Sequence, residues 1–224
     1  RGVRADRATV GRILTLGLPT LVQMGSLSVV LVVMNGLLAP RVGTVGVAAF
    51  GYVSRLAEFA LAPFSALCLA AAPIIGSSYG AGLHSRVRQT VVRTVQLGLV
   101  YAVAAVAVCL ALSGALLGIF TRDPAIVQFG THCLRRLAPA LLFLPPVLTV
   151  SAYFQSVNRA KSALVTAGAL PLCLCVGACL AAPLGTGAVW WAVPIAAAGC
   201  AVFCGGLYGL DGKRQNAGTN NRAG

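Results

Sequence analysis

The chain has 224 residues, 58% of them hydrophobic, a mean hydropathy of +0.88 and four acids, Asp6, Glu58, Asp123 and Asp211, against 17 lysines and arginines. A water-facing surface carries roughly 25–35% charged residues, and with 9% in the whole chain a soluble globular domain is excluded. The net charge of +13 does not point to nucleic acid either, because the basic residues collect in connections and not along one soluble face with interleaved aromatics.

Six apolar stretches follow, at 13–39, 45–78, 92–120, 125–157, 162–183 and 188–209. Each reaches the roughly 20 residues that cross a hydrocarbon core of about 30 Å. They predict an all-α integral membrane protein, a six-transmembrane-helix bundle over 1–209, followed by a polar tail at 210–224 with no hydrophobic periodicity, read as disordered.

The first stretch opens on Gly17-Leu18-Pro19, and Pro19 removes an amide donor and favours a kink. Gln23, Ser26, Ser28 and Asn35 interrupt its apolar character, so Gln23 and Asn35 are expected to face protein or a cavity. The second stretch contains Arg55 and Glu58, charges that cost roughly 2.5–3.5 kcal/mol each at a helix centre in lipid. Neither is expected to point at lipid, and their i, i+3 spacing lets them pair. Pro63 and Pro73 are expected to break this helix before Gly76, Gly80 and Gly82 release it into a basic turn.

Gly114 and Gly118 in the third stretch give a small-xxx-small spacing that permits close helix approach. Asp123-Pro124 then reads as a helix start, an acidic cap before proline at the first position. The fourth stretch carries Arg135 and Arg136, the pair Pro145-Pro146 as a mid-membrane flexing point, and Tyr153-Phe154-Gln155 at its far end. In the last two stretches, rich in Ala, Cys and Gly, Trp190 and Trp191 fall where an interfacial aromatic belt would sit.

The basic residues favour alternate connections. Arg86, Arg88, Arg93, Arg159, Lys161, Lys213, Arg214 and Arg222 join the N-terminal arginines on one side, while Arg41, Arg122, Arg135 and Arg136 stand on the other. The positive-inside rule then puts both termini in the cytoplasm of a multi-pass protein of the plasma or inner cell membrane. The eight cysteines fall almost entirely inside apolar stretches and read as small core residues. His84 and His132 read as solvated or interfacial. No clustered His, Asp or Glu points to a metal or to an enzyme active site, and no cofactor is expected.

Particular segments carry a resemblance. Gly17-Leu18-Pro19, Gly43 to Ala49, Pro73 to Gly76 with Gly80-Ala81, Phe120 to Asp123, Phe154-Gln155 with Asn158-Arg159, and Gly187 to Trp190 resemble, in order, the C-terminal six-helix lobe of multidrug and toxic compound extrusion (MATE) transporters. The resemblance implies a secondary antiporter of two six-helix lobes around a central cavity, exporting cationic or amphipathic compounds in exchange for protons or sodium ions. It implies a partner, an N-terminal lobe that this chain lacks or another copy, for alternating access. Members that bind the coupling ion in this lobe place carboxylates in its first and fourth spans, and here those spans have none.

Glu58, beside Arg55, is therefore the ion-coupling candidate, as a carboxylate that takes up protons or as a permanent ion-pair partner. Gln23, Asn35, Tyr52, Tyr153 and Gln155 are the substrate-cavity candidates, and Pro19, Pro63, Pro73, Pro145 and Pro146 the helix-break and gating candidates. The alternatives are a flippase for lipid-linked precursors, which would favour a cationic cavity, and an incomplete, transport-inactive membrane fragment.

Overall fold

The computed structural model describes residues 7–220, and every regular element among them is helical. Helix α1 spans Arg7–Gly80, α2 His84–Ala111, α3 Ser113–Phe120, α4 Pro124–Leu137, α5 Leu144–Ser156, α6 Ala160–Ala181 and α7 Thr186–Asn220. Short 3-10 turns, Ala138–Leu142 and Ala182–Leu184, follow α4 and α6.

At about 1.5 Å per residue, the 74 residues of α1 would run roughly 110 Å if straight, several times a hydrocarbon core. It is two helices joined at Gly43, whose φ of 65° and ψ of −158° are not helical. That combination belongs to a region open essentially to glycine alone. Gly46 completes the joint, because a Cβ there would lie 2.5 Å from Val42 Cβ.

Among the described residues, four helical segments are long and apolar enough to cross a membrane, Ser28–Gly80, His84–Ala111, Ala160–Ala181 and Gly187–Gly212. The pair Pro124–Leu142 and Leu144–Ser156, bent by 47°, adds a fifth if counted as one span. With α1 divided at Gly43 the bundle has six helical passes, α3 continuing α2 after a break at Leu112.

Two apolar cores sit at opposite ends of the bundle. One joins Met34, Leu38, Phe50, Leu117, Leu134, Ala178 and Trp190. The other joins Ile75, Val87, Val91, Val150, Phe154, Ala163 and Cys204. The second core gathers the α1–α2 turn, the α5–α6 turn and the later part of α7, so the basic residues of these connections share one end, as passes of alternating direction require.

Several sequence expectations are corrected here. Pro63 and Pro73 do not break α1, which keeps helical backbone through both, as membrane helices can where neighbouring groups satisfy the carbonyl that a proline frees. The first-arm residues Pro19 and Gln23 lie in α1, but their side chains are outside the described part. Pro145 and Pro146 fall in the first turn of α5, just past the 47° bend, a position where a missing amide costs little. Gly114 and Gly118 do not make the closest helix approach, since a Cβ would meet only Thr131 Oγ1 at 3.9 Å at Gly114 and nothing at Gly118. Gly98 does: a Cβ there would sit 2.2 Å from the Phe64 ring.

Trp190 is a core residue, 2% exposed and 5.9 Å from the Phe50 ring, while Trp191 faces outward. Adjacent residues point about 100° apart on a helix, so one tryptophan can face the bundle and the other the membrane. His84 is not simply solvated, because its ring meets Tyr79 edge-on at 5.7 Å. The tail read as disordered from 210 continues α7 as far as Asn220.

Candidate functional site

Two acid–arginine pairs dominate the polar chemistry. The first lies on the second arm of α1, where Arg55 Nη1 donates to Glu58 Oε2 at 2.9 Å. Helical spacing of three residues brings the side chains together, as the sequence predicts. Their side chains remain 70% and 44% exposed, so the pair lies on an open face of the lobe. Glu58 also borders an apolar cavity of about 200 Å³ lined by Met34, Phe50, Ser54, Leu141 and Leu144 among others. The cavity lies between both arms of α1 and the bent α4–α5 unit.

The candidate cavity residues divide between the two ends of the bundle. Tyr52 is half-buried, one turn before Arg55, and its ring packs at 6.0 Å against Phe120. Asn35, on the first arm, has a buried Oδ1 without a hydrogen-bond partner among the described residues, but it is not part of that cavity's lining. Tyr153 belongs to the other core. It is 2% exposed and packs edge-on against Phe154 and Tyr208. Gln155 is exposed near the end of α5, where its Nε2 donates to Ser151 Oγ at 3.2 Å.

The second pair is one the sequence reading missed. Asp211, 5% exposed, accepts a hydrogen bond from Tyr153 Oη at 2.8 Å and forms an ion pair with Arg159. Local backbone chemistry explains how Arg159 gets there. Helix α5 ends with Asn158 at a φ of 61°, the left-handed conformation that asparagine tolerates better than most residues. Asn158 N–H donates to Gln155 O and Arg159 N–H to Phe154 O, the paired capping bonds of a Schellman turn. The reversal leaves Arg159 facing the last turns of α7.

The tail predicted over 210–224 includes Asp211. Asp211 instead falls inside the apolar span Gly187–Gly212. A signal was available: Cys200, Cys204, Leu207 and Asp211 recur every three to four residues, which places the acid on the helix face that the buried cysteines occupy. Its burial is tolerable because the charge is paired and hydrogen-bonded.

Asp123 and Arg135 serve local structural contacts. Asp123 Oδ1 caps α4 by accepting from Ala125 N–H at 3.0 Å. Arg135 Nε donates to the buried Ser113 Oγ at 3.1 Å, tying α4 to α3. Cys68, Cys109, Cys133, Cys200 and Cys204 are buried, the last two at 3.9 Å between sulfurs, whereas Cys173 and Cys175 are half-buried and Cys179 is exposed, so the core reading does not hold for Cys179. Among the described residues no three His, Cys, Asp or Glu side chains are placed to share a metal ion.

This architecture is similar to that of solved membrane transporters. A MATE protein crystallised in a bent conformation superposes with a TM-score of 0.87 at 22% identity, over 100% of this chain and 50% of that one. An outward-facing multidrug resistance MATE family transporter of the MOP superfamily gives 0.87 at 22% identity, over 97% and 49%. A MOP superfamily transporter from Pyrococcus furiosus, described as having a binding pocket of reversed polarity, gives 0.86 at 22% identity, over 96% and 48%. The chain thus spans about half the length of the solved proteins it matches, one lobe of their fold. No curated protein matches it. The MatE family model matches residues 19–180, well over half of the chain, and the chain belongs to the MatE family of transporters.

Proposed function

We propose that this chain is the C-terminal lobe of a multidrug antiporter, exporting cationic or amphipathic compounds in exchange for protons or sodium ions. It works with a second six-helix lobe, in a cell membrane, with both termini cytoplasmic. The observation that carries the reading is the exposure of Arg55 and Glu58 in a membrane-spanning arm. Two charges turned to lipid would each cost roughly 2.5–3.5 kcal/mol, whereas a polar cavity between two lobes removes that cost. The paired face is therefore the wall of the central cavity, and the opposing wall comes from the second lobe.

In this reading Glu58 supplies the negative charge for a cation, and protonation would weaken both its hold on the cation and its pairing with Arg55. Apolar side chains around the adjoining cavity, with Ser54 and Glu58 as its few polar groups, suit amphipathic compounds, which bind in largely apolar sites with few polar contacts. The flippase alternative is less well supported, because Glu58 neutralises Arg55 on the face that a pyrophosphate would need cationic.

Ethidium efflux from cells that express the chain together with a second lobe, whether encoded ahead of Arg1 or supplied separately, tests the assignment. Glu58→Gln should reduce efflux severalfold at equal membrane expression. Unchanged efflux would remove Glu58 from the coupling step, and absence of efflux for a panel of organic cations in the parent protein would overturn the antiporter reading itself.

A further inference from the structure

Away from the Arg55–Glu58 face, the turn from α1 into α2 leaves a groove of about 610 Å³ between the two helices. Its α1 wall is Leu67, Ala70, Ala71 and Ile74, and its α2 wall includes Arg86, Gln89, Arg93 and Leu97. Arg86 and Arg93 are seven residues apart, about 10 Å and two turns along one helix face. Both are exposed. Leu97 lies roughly 6 Å beyond Arg93, so the groove is cationic at the turn and apolar toward its depth.

No acid lines this groove. Glu58 is paired with Arg55 and Asp211 with Arg159, and Asp123 caps α4, so neither Arg86 nor Arg93 has a carboxylate partner among the described residues. The rim is also unusually apolar for a basic site, with Ile74 46% and Leu97 58% exposed. A free anion would satisfy the guanidinium groups and leave the apolar wall uncovered. A chain carrying both an anion and a hydrocarbon tail would satisfy both.

We propose that this groove binds an anionic phospholipid of the surrounding membrane. The phosphate sits between Arg86 and Arg93, with Gln89 as an additional donor. One acyl chain runs along Ile74, Ala70 and Leu67 toward Leu97. Arg93 reaches back toward the interface along its own aliphatic stem, as arginines near helix ends do. Basic pockets between membrane helices select anionic head groups in this way. A choline head group would bring its own cation against the same arginines, so the groove discriminates by charge. The proposal depends on the chain's crossing a membrane, and not on antiport or on any substrate.

The test is native mass spectrometry of the purified, delipidated protein in neutral detergent, titrated with phosphatidylglycerol or with phosphatidylcholine of identical acyl chains. Phosphatidylglycerol should bind the tighter, and Arg86→Gln and Arg93→Gln should each weaken it about fivefold. Arg86→Lys should retain most of the binding. Arg88→Gln, which removes the same charge from a side chain outside the groove, should leave binding unchanged, with helicity by circular dichroism matched across the set. Equal binding of the two lipids would overturn the proposal. So would an equal loss in Arg88→Gln, which would indicate diffuse charge, or displacement of the lipid by inorganic phosphate, which would make the ligand a free anion.

Discussion

The two acid–arginine pairs use the same chemistry in opposite ways. Arg55 and Glu58 sit three residues apart on one helix and face outward, so their pairing ties no helix to another. Arg159 lies in the α5–α6 turn and Asp211 on α7, with the acid buried and held by Tyr153 as well. Their pairing closes the end of the bundle where α5, α6 and α7 meet. An exposed local pair is worth at most about 1 kcal/mol and can exchange its partner cheaply. A buried tertiary pair is costly to break, because the partner left behind keeps its desolvated charge. The first arrangement suits a group that must change partners, and the second suits a fixed point.

The largest effect should follow Asp211→Asn. Removing one member of a buried pair costs about 3–5 kcal/mol, and because Arg159 is 35% exposed the lower end is expected. Thermal unfolding in detergent, followed by circular dichroism, should show a clearly lower midpoint; a midpoint equal to that of the parent would show that the pair is no fixed point. Tyr153→Phe comes next, at about 1.5 kcal/mol for one hydrogen bond to a charged acceptor. Combined with Arg159→Gln it should cost less than the sum of the two changes, since both act on the same carboxylate. Strict additivity in that cycle would separate Tyr153 from the ion pair. Glu58→Gln should move the unfolding midpoint least, by no more than about 0.5 kcal/mol equivalent, while reducing efflux. A large loss of stability there would erase the contrast between the two pairs.

Much of the fold was legible in the sequence because lipid imposes simple rules on length, hydropathy and charge. The apolar stretches fall on helices, and Asp123-Pro124 starts α4 with the expected cap. The bend beside Pro145 was also visible, because a double proline can enter a helix easily only at its first turn. Pro63 and Pro73 misled for a related reason: in a membrane helix, neighbouring groups can satisfy a carbonyl freed by proline, so proline alone does not fix a break. The break between the first two apolar stretches, which the sequence puts at 40–44, falls at Gly43, as one non-helical residue and not a loop.

The site was legible where it is local and obscure where it is tertiary. Arg55 and Glu58 can be paired by counting residues along one helix. Tyr153, Arg159 and Asp211 cannot, because 58 residues separate Tyr153 from Asp211 and only the packing of α7 against α5 brings them together. Tyr153, expected in a substrate cavity, was drawn into that contact because a buried tyrosine hydroxyl requires a polar partner. In a chain with four acids, one on the same helical stripe as the buried Cys200 and Cys204 belongs with the core and not with solvent.

The Gly43 joint has a practical consequence for topology mapping. The first two passes are connected by a single non-helical residue, so there is no loop between them for a protease to cut or for an epitope to occupy. A reporter inserted there would have to disrupt helix or displace a glycine whose φ and ψ other residues reach only under strain. Labelling at the Thr121–Asp123 connection, outside regular helix, would report the same side of the membrane without disturbing that joint.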